Sequence, residues 1–322
     1  MALSNMQVFN QFIMPATIET LAQMVDVFNQ ASAGAIRLTT DGFDGDFLQE
    51  SFFAAIHSAQ RRVNRYGVNA TVAPTDLREL KHSTVKVAGG FGPILFEPSQ
   101  MTWLQRPTTQ GIEVASRNFA EAMLADQLNT AILALVAAIG NQPGATNDVS
   151  TDSGIDYVAM NNAHAKFGDA SGNLVANVMT GAMSHKLIEQ NLKNEHRLFQ
   201  AGNVRVYDVL GKRTVVTDAP ALFSAGTPGL NKVLSLAAGA AVVHDASDLI
   251  SNVQTDNGKE RITTTLQIDY TFGLGLLGYA WNETVGGKSP TDAALGAGSN
   301  WVKVASSIKN TAGVLTIGNA SK

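Results

Sequence analysis

The sequence predicts an α+β fold organised around one long helix. Three observations carry this expectation. The stretch between Gly111 and Gly140 contains no internal glycine or proline and is dense in strong helix formers. Two later blocks, VRVYDVLGKRTVVTDAP and RITTTLQIDYTFGLGLLGYAWN, carry strand-like apolar and β-branched patterns. Between the long helix and the second block, short helix and strand signals are mixed, as in a compact α/β subdomain of about 120 residues.

The chain has 322 residues, 45% of them apolar, enough to fill a substantial core. Its net charge of −4 gives no overall cationic field for indiscriminate nucleic-acid binding. There is no cysteine, which excludes disulfides, thiolate catalysis and cysteine-bound metal. The opening residues MALSNMQVFNQ lack a basic segment followed by an apolar one, so no secretory signal is expected. Charged residues make up only 16%, while glycine is abundant at 29 residues, a balance compatible with a surface covered by neighbours.

Taken in order, Ile18, Leu21, Val25 and Phe28 mark a short amphipathic helix after Pro15, with Glu19, Gln23 and Asp26 facing outward. Such a helix lies either on its own core or, as an arm, on a neighbouring subunit. Asp46 is expected to cap a second helix through Phe47, Phe52, Phe53 and Ile56. The segment from Arg61 to Lys86 is locally basic: Arg61, Arg62, Arg65, Arg78, Lys81 and Lys86 face only Asp76 and Glu79. It alternates around Thr71–Ala73 and Thr84–Val87 and then meets Gly89–Gly90 and Gly92–Pro93, which reads as a long two-stranded excursion with turns at the glycines. So long a hairpin with little core of its own must lie on something else. Its charge suits a solvated face or an acidic partner surface, and a DNA contact would want more aromatics than Tyr66.

In the long helix, Leu124, Leu128, Ala131, Leu135 and Ala138 recur at four- and three-residue steps, and the run Ala131–Ile139 is wholly apolar. Leu124, Leu128, Leu135 and Ile139 are its expected core positions. At about 1.5 Å per residue the helix would run about 40 Å, and its apolar run falls short of the ~20 residues of a membrane span, so no membrane partner is expected. A polar loop is expected over Asn141–Gly154, helices over Tyr157–Phe167 and Ala182–Leu192, and a strand over Ala176–Met179. A hairpin turning at Gly211 should follow, then two short strands ending at Leu236 and His244. The block from Arg261 places Ile262, Thr264, Leu266, Ile268 and Tyr270 on one face of a long strand, and the tail offers short strands near Trp301–Val304 and Val314–Ile317.

Catalytic motifs fail in context. Gly273, Gly275 and Gly278 spell G-x-G-x-x-G after a strand, but YAWNETVGG leaves no room for the helix that must receive a pyrophosphate. Gly211–Lys212 resembles the end of a phosphate loop, with Val206 and Arg213 where glycine and a hydroxyl are needed. The six histidines include no i,i+4 pair, and the nearest approach to a ligand cluster is His244, Asp245 and Asp248. No catalytic, cofactor-binding or metal-binding residue is nominated.

The order of parts resembles the major capsid proteins of tailed bacteriophages, the Hong Kong 97 fold. The resemblance covers about residues 36–282, and its most telling local piece is VYDVLGKRTVVTDAPAL. It implies an N-terminal arm (1–35), a short helix region (36–60), an extended loop (61–98), a peripheral domain with the spine helix (99–144), an axial domain (145–260) and a return strand with a C-terminal segment (261–322). It implies a virion shell protein that assembles with itself into hexamers and pentamers of an icosahedral shell in the bacterial host cytoplasm. Arg61, Arg62, Arg65, Arg78, Lys81 and Lys86 would meet acidic groups of the adjacent subunit. Further implied partners are a separate scaffolding protein, a portal, decoration or head-completion proteins, and packaged double-stranded DNA held by weak non-specific contact. The family's lysine–asparagine crosslink is not carried over, because no local pattern singles out Lys81 or Lys86. Two other readings stand beside this one: an encapsulin-type compartment shell, which shares the fold, and a nucleotide- or metal-dependent α/β enzyme.

Overall fold

The computed structural model describes residues 14–39, 45–53, 62–68, 71, 79–96, 109–193, 211–245, 248–258 and 260–322. Its centre is helix α2 (Thr109–Gly140), preceded by helix α1 (Met14–Ala31). The side chains of Ala131, Ile132, Ala134, Leu135, Ala138 and Ile139 are completely enclosed, while Leu124 and Leu128 are half-buried against the same core. The apolar C-terminal half is thus covered on several sides, and the wetter N-terminal half carries the exposed Arg117–Glu121 ion pair at 2.9 Å. By length and composition Ser116–Gly140 is apolar enough to cross a membrane, but half of that window is buried inside the fold. Core helices of large domains share this property.

One eight-stranded sheet lies against α2. It contains β1 (Ile36–Thr39), β2 (Phe47–Phe53), β3 (Glu79–Phe96), β9 (Ala241–Asp245), β10 (Ile250–Asp256), β11 (Thr263–Leu276), β12 (Tyr279–Trp281) and β13 (Trp301–Lys303). The 14-residue β11 is its trunk, pairing antiparallel with β3, β9, β10 and β12. Leu266, Ile268, Tyr270, Phe272 and Leu274 are buried on its inner face, as the alternation predicts, whereas Ile262 lies ahead of the strand and is exposed.

A six-stranded sheet holds β4 (Thr146–Asp148), β5 (Leu174–Met179), β6 (Arg213–Val216), β7 (Phe223–Ser224), β8 (Leu230–Ala237) and β14 (Gly313–Asn319). Helices α3 (Tyr157–Ala165) and α4 (Gly181–Lys193) accompany it. Asp156 caps α3 by accepting from the Ala159 N–H at 2.6 Å. One hydrophobic cluster joins α2 to both sheets, drawing Val85, Phe272 and Leu276 from the first and Val178, Leu234 and Leu315 from the second.

Several expectations need correction. Of its two expected placements, the amphipathic α1 takes the one on the chain's own core, against α2 with Leu21 and Val25 buried, but Ile18, expected on the same face, is exposed. The helix expected after Asp46 is strand β2, which pairs residue by residue with Glu79–Val85. Cross-strand pairing of a phenylalanine-rich segment outweighs the local cap signal, and Ile56 lies outside the described residues. The excursion over 61–98 is not a self-contained hairpin. Its second half is the continuous β3, which contains Lys81 and Lys86, while Arg62 and Arg65 fall in the connection between β2 and β3. The glycines of β3 do not make turns; they make clearance. A Cβ on Gly89 would sit 2.8 Å from the Tyr270 ring, and one on Gly90 would sit 2.8 Å from the Asp269 carboxylate.

The expected loop over 141–154 contains β4, which pairs parallel with β14, a long-range partner invisible to local pattern. Of the expected hairpin at Gly211, the first strand lies outside the described residues, and the second, β6, pairs parallel with β5. The sheets also cross the linear boundaries at 145–260 and 261–322. Residues of β9 and β10 belong to the sheet of the return strand, whereas the C-terminal β14 belongs to the other. The glycine motif runs through β11 into a turn at Gly278, φ +79°, and re-enters the sheet as β12 rather than opening a helix.

Candidate assembly surfaces

The basic residues divide into three groups. Arg61 and Arg78 lie outside the described residues, and Lys81 is placed only by its backbone, opposite Ser51 in the β2–β3 pair. Arg62 and Arg65 are exposed on the segment 62–68, together with Val63, Tyr66 and Val68. Tyr66 is 92% exposed and Val68 96%, so both side chains are almost wholly open to solvent. The Arg65 guanidinium lies 5.9 Å from the Tyr66 ring centroid, a cation–π arrangement, and the Asn64 side chain accepts from the Tyr66 N–H at 3.0 Å. Arginine and tyrosine are residue types enriched at protein interfaces.

Lys86 differs from these. Its ammonium donates to Asp248 at 2.7 Å, and Thr271 donates to the same carboxylate at 3.1 Å. These hydrogen bonds hold the Asp248 carboxyl below the usual carboxylate range. Lys86 is therefore engaged within its own chain, bridging β3 to the start of β10. The sequence alone does not distinguish it from the other cations, because Asp248 lies 162 positions away.

A part-buried hydrogen-bonded pair joins the spine helix to the trunk strand within their shared hydrophobic cluster. Tyr270 donates to the Asp126 carboxylate at 2.6 Å, and its ring packs against Phe91, centroid distance 5.5 Å, and Phe272. Burial, with Asp126 beside it, pushes the Tyr270 hydroxyl far above its ordinary range, so it remains a donor at any working pH. Nothing in the local sequence identifies Asp126 as the partner; only the docking of α2 across β11 brings them together.

The groups weighed for chemistry serve the framework. His244 shares a 3.3 Å hydrogen bond with Thr39 across the β1–β9 pair, and Asp248 is taken by Lys86 and Thr271. Lys212 donates to the carbonyls of Ser171 and Leu174. A Cβ on Gly275 would lie 2.8 Å from the buried Thr84 hydroxyl, so this glycine permits strand packing. Among the described residues, no three histidine or carboxylate side chains are placed to hold a metal ion.

Comparison with known proteins assigns this architecture. The profile of the Gp13-like family, described as major capsid protein 13-like, matches residues 5–315. No curated protein is recognisably similar in sequence. The fold is similar to the cyanophage Pam1 capsid asymmetric unit, with 12% identity, 88% of each chain covered and a TM-score of 0.53. It is also similar to the head structure of Helicobacter pylori bacteriophage KHP40, with 9% identity, 91% of this chain and 88% of that chain covered, and a TM-score of 0.50. These likenesses show the Hong Kong 97 fold expected from the order of elements. With the profile matched across nearly the whole chain, the protein belongs to the major capsid protein 13-like family of tailed phages.

Proposed function

We propose that this major capsid protein assembles as pentamers and hexamers of an icosahedral head, with the segment 62–68 reaching an adjacent subunit. The observation that supports this reading is the exposed set Arg62, Val63, Arg65, Tyr66 and Val68. Such a segment buries nothing in the isolated subunit. Each copy contributes a small contact energy that a closed shell repeats many times. Arg61, Arg78 and Lys81 would also meet acidic groups of the adjacent subunit in this proposal. The six-stranded sheet with α3 and α4 would meet its symmetry mates around the capsomer axis, and the eight-stranded sheet with α2 would form the periphery. The role is architectural rather than catalytic.

Assembly takes place in the bacterial host cytoplasm with a separate scaffolding protein, and portal and decoration or head-completion proteins complete the particle. The net charge of −4 suits a shell wall that holds packaged DNA only weakly. The test is the double reversal Arg62→Glu, Arg65→Glu. The variant should fold with wild-type circular dichroism and thermal midpoint, and fail to form shells under conditions where wild-type does so. Normal assembly of the double variant would overturn the assignment of this segment.

A further inference from the structure

Behind the six-stranded sheet, α3 lays a histidine onto a buried polar row. His164 is 6% exposed, and Ser235 on β8 and Asn177 on β5 are fully buried and opposite each other in register. Ser235 donates its proton to Asn177 Oδ1 at 2.7 Å, so its oxygen is left to accept from His164 Nε2 at 2.8 Å. This chain of bonds ties α3 to the middle of the sheet, beside the wholly buried Ala163 and Phe167.

The surroundings are arranged for a neutral ring. Strands β5 (LVANVM) and β14 (GVLTIGN) carry no ionisable side chain. On β8, Lys232 lies an odd number of positions from Ser235 and points to the opposite face. Asp148 of β4 accepts from the Ser150 N–H, and Asp169 in the turn after α3 is paired with Lys309. On α3 and its ends, Asp156 caps the first turn and Lys166 donates to the carbonyls of Pro143 and Thr146. At the entrance to β6, Arg213 donates to the Gln30 carbonyl. The charge acting on the imidazole is the Lys212 ammonium, itself partly buried.

We propose that His164 is an acid-sensitive latch: α3 stays on the six-stranded sheet while the buried imidazole is neutral, and protonation at Nδ1, which leaves the Nε2–H bond to Ser235 in place, buries a charge that is relieved by releasing the helix. The added charge would be buried beside Lys212 with no carboxylate turned toward it among the described residues. Burial, then Lys212, lowers the His164 pKa to about 4, against a smaller opposing effect of hydrogen bonding to Asn177. The unfolded chain takes up this proton first, so the stabilisation is complete above pH 6.5 and declines as the pH falls toward 4. Working from those two values, the folding equilibrium should drop about thirtyfold at pH 5 through this residue alone.

The test compares the purified full-length wild-type chain with His164→Gln, which keeps an N–H donor and does not titrate. Urea denaturation between pH 7.5 and 4.5 should show the wild-type losing about thirtyfold more in folding equilibrium at pH 5 than the variant. Hydrogen exchange at pH 5, corrected for intrinsic rates, should open the amides of 157–165 in the wild-type and spare them in the variant. Parallel pH profiles would overturn the proposal. Should His164→Gln fail to fold, NMR titration of the histidine ring resonances in the wild-type decides the matter. A His164 midpoint near 6.5 refutes the latch; a midpoint well below it, raised by Lys212→Met, supports it.

Discussion

The Tyr270–Asp126 bond allows a sharp test of how the trunk strand is held to the spine helix. Tyr270→Phe deletes one hydroxyl and leaves the ring, which is 4% exposed, in place between Phe91 and Phe272 and over Gly89. No cavity term arises, so the loss is the hydrogen bond itself. A 2.6 Å bond to a carboxylate from a donor that never ionises is of the charge-assisted kind, worth about 1.5–3 kcal/mol. Asp126→Asn should cost a similar amount by weakening the acceptor. Because both substitutions remove the same interaction, the double variant should fall short of the sum by about 1–2 kcal/mol. Urea denaturation of the unassembled subunit, followed by far-UV circular dichroism, measures all three. A Tyr270→Phe effect within about 0.5 kcal/mol of zero, or strict additivity in the cycle, would refute the claim that this pair fastens β11 to α2.

Two further outcomes follow from packing and charge. Leu135→Ala, at a position with no solvent exposure, should cost about 2–5 kcal/mol in the same denaturation assay, whereas Leu128→Ala, half-buried, should cost clearly less. Lys86→Met should change stability by no more than about 1 kcal/mol, since the Lys86–Asp248 pair is partly exposed, and should leave shell formation intact when followed by sedimentation.

The sequence made some parts of the fold legible and hid others for identifiable reasons. The spine helix, β11, α3, α4 and β14 announce themselves through unbroken periodicity or helix-forming runs, signals contained within one segment. Strand β2 is hidden because a local aspartate cap and clustered phenylalanines mimic a helix start, while its partner, Glu79–Val85, lies beyond the basic segment. Strand β4 has three residues and exists only because β14, nearly 170 positions away, lies beside it. The glycines of β3 looked like turns because glycine marks both turns and close approach, and only the Tyr270 ring distinguishes the two.

The placement of the basic residues is only partly legible in the sequence. Local excess of arginine marks Arg62 and Arg65, which are exposed, but charge alone does not separate them from Lys86, whose partner comes from a distant loop. His164 gave no signal at all: a lone histidine in YVAMNNAHA becomes informative only when Ser235 and Asn177 are brought beneath it.

The central claim is that this chain builds a closed shell from copies of itself. Negative-stain electron microscopy of the purified protein, alone and with its candidate scaffolding partner, tests it most directly. The account predicts closed shells, or hexameric and pentameric rings, in at least one of the two preparations. A monodisperse monomer or small dimer in both would contradict it.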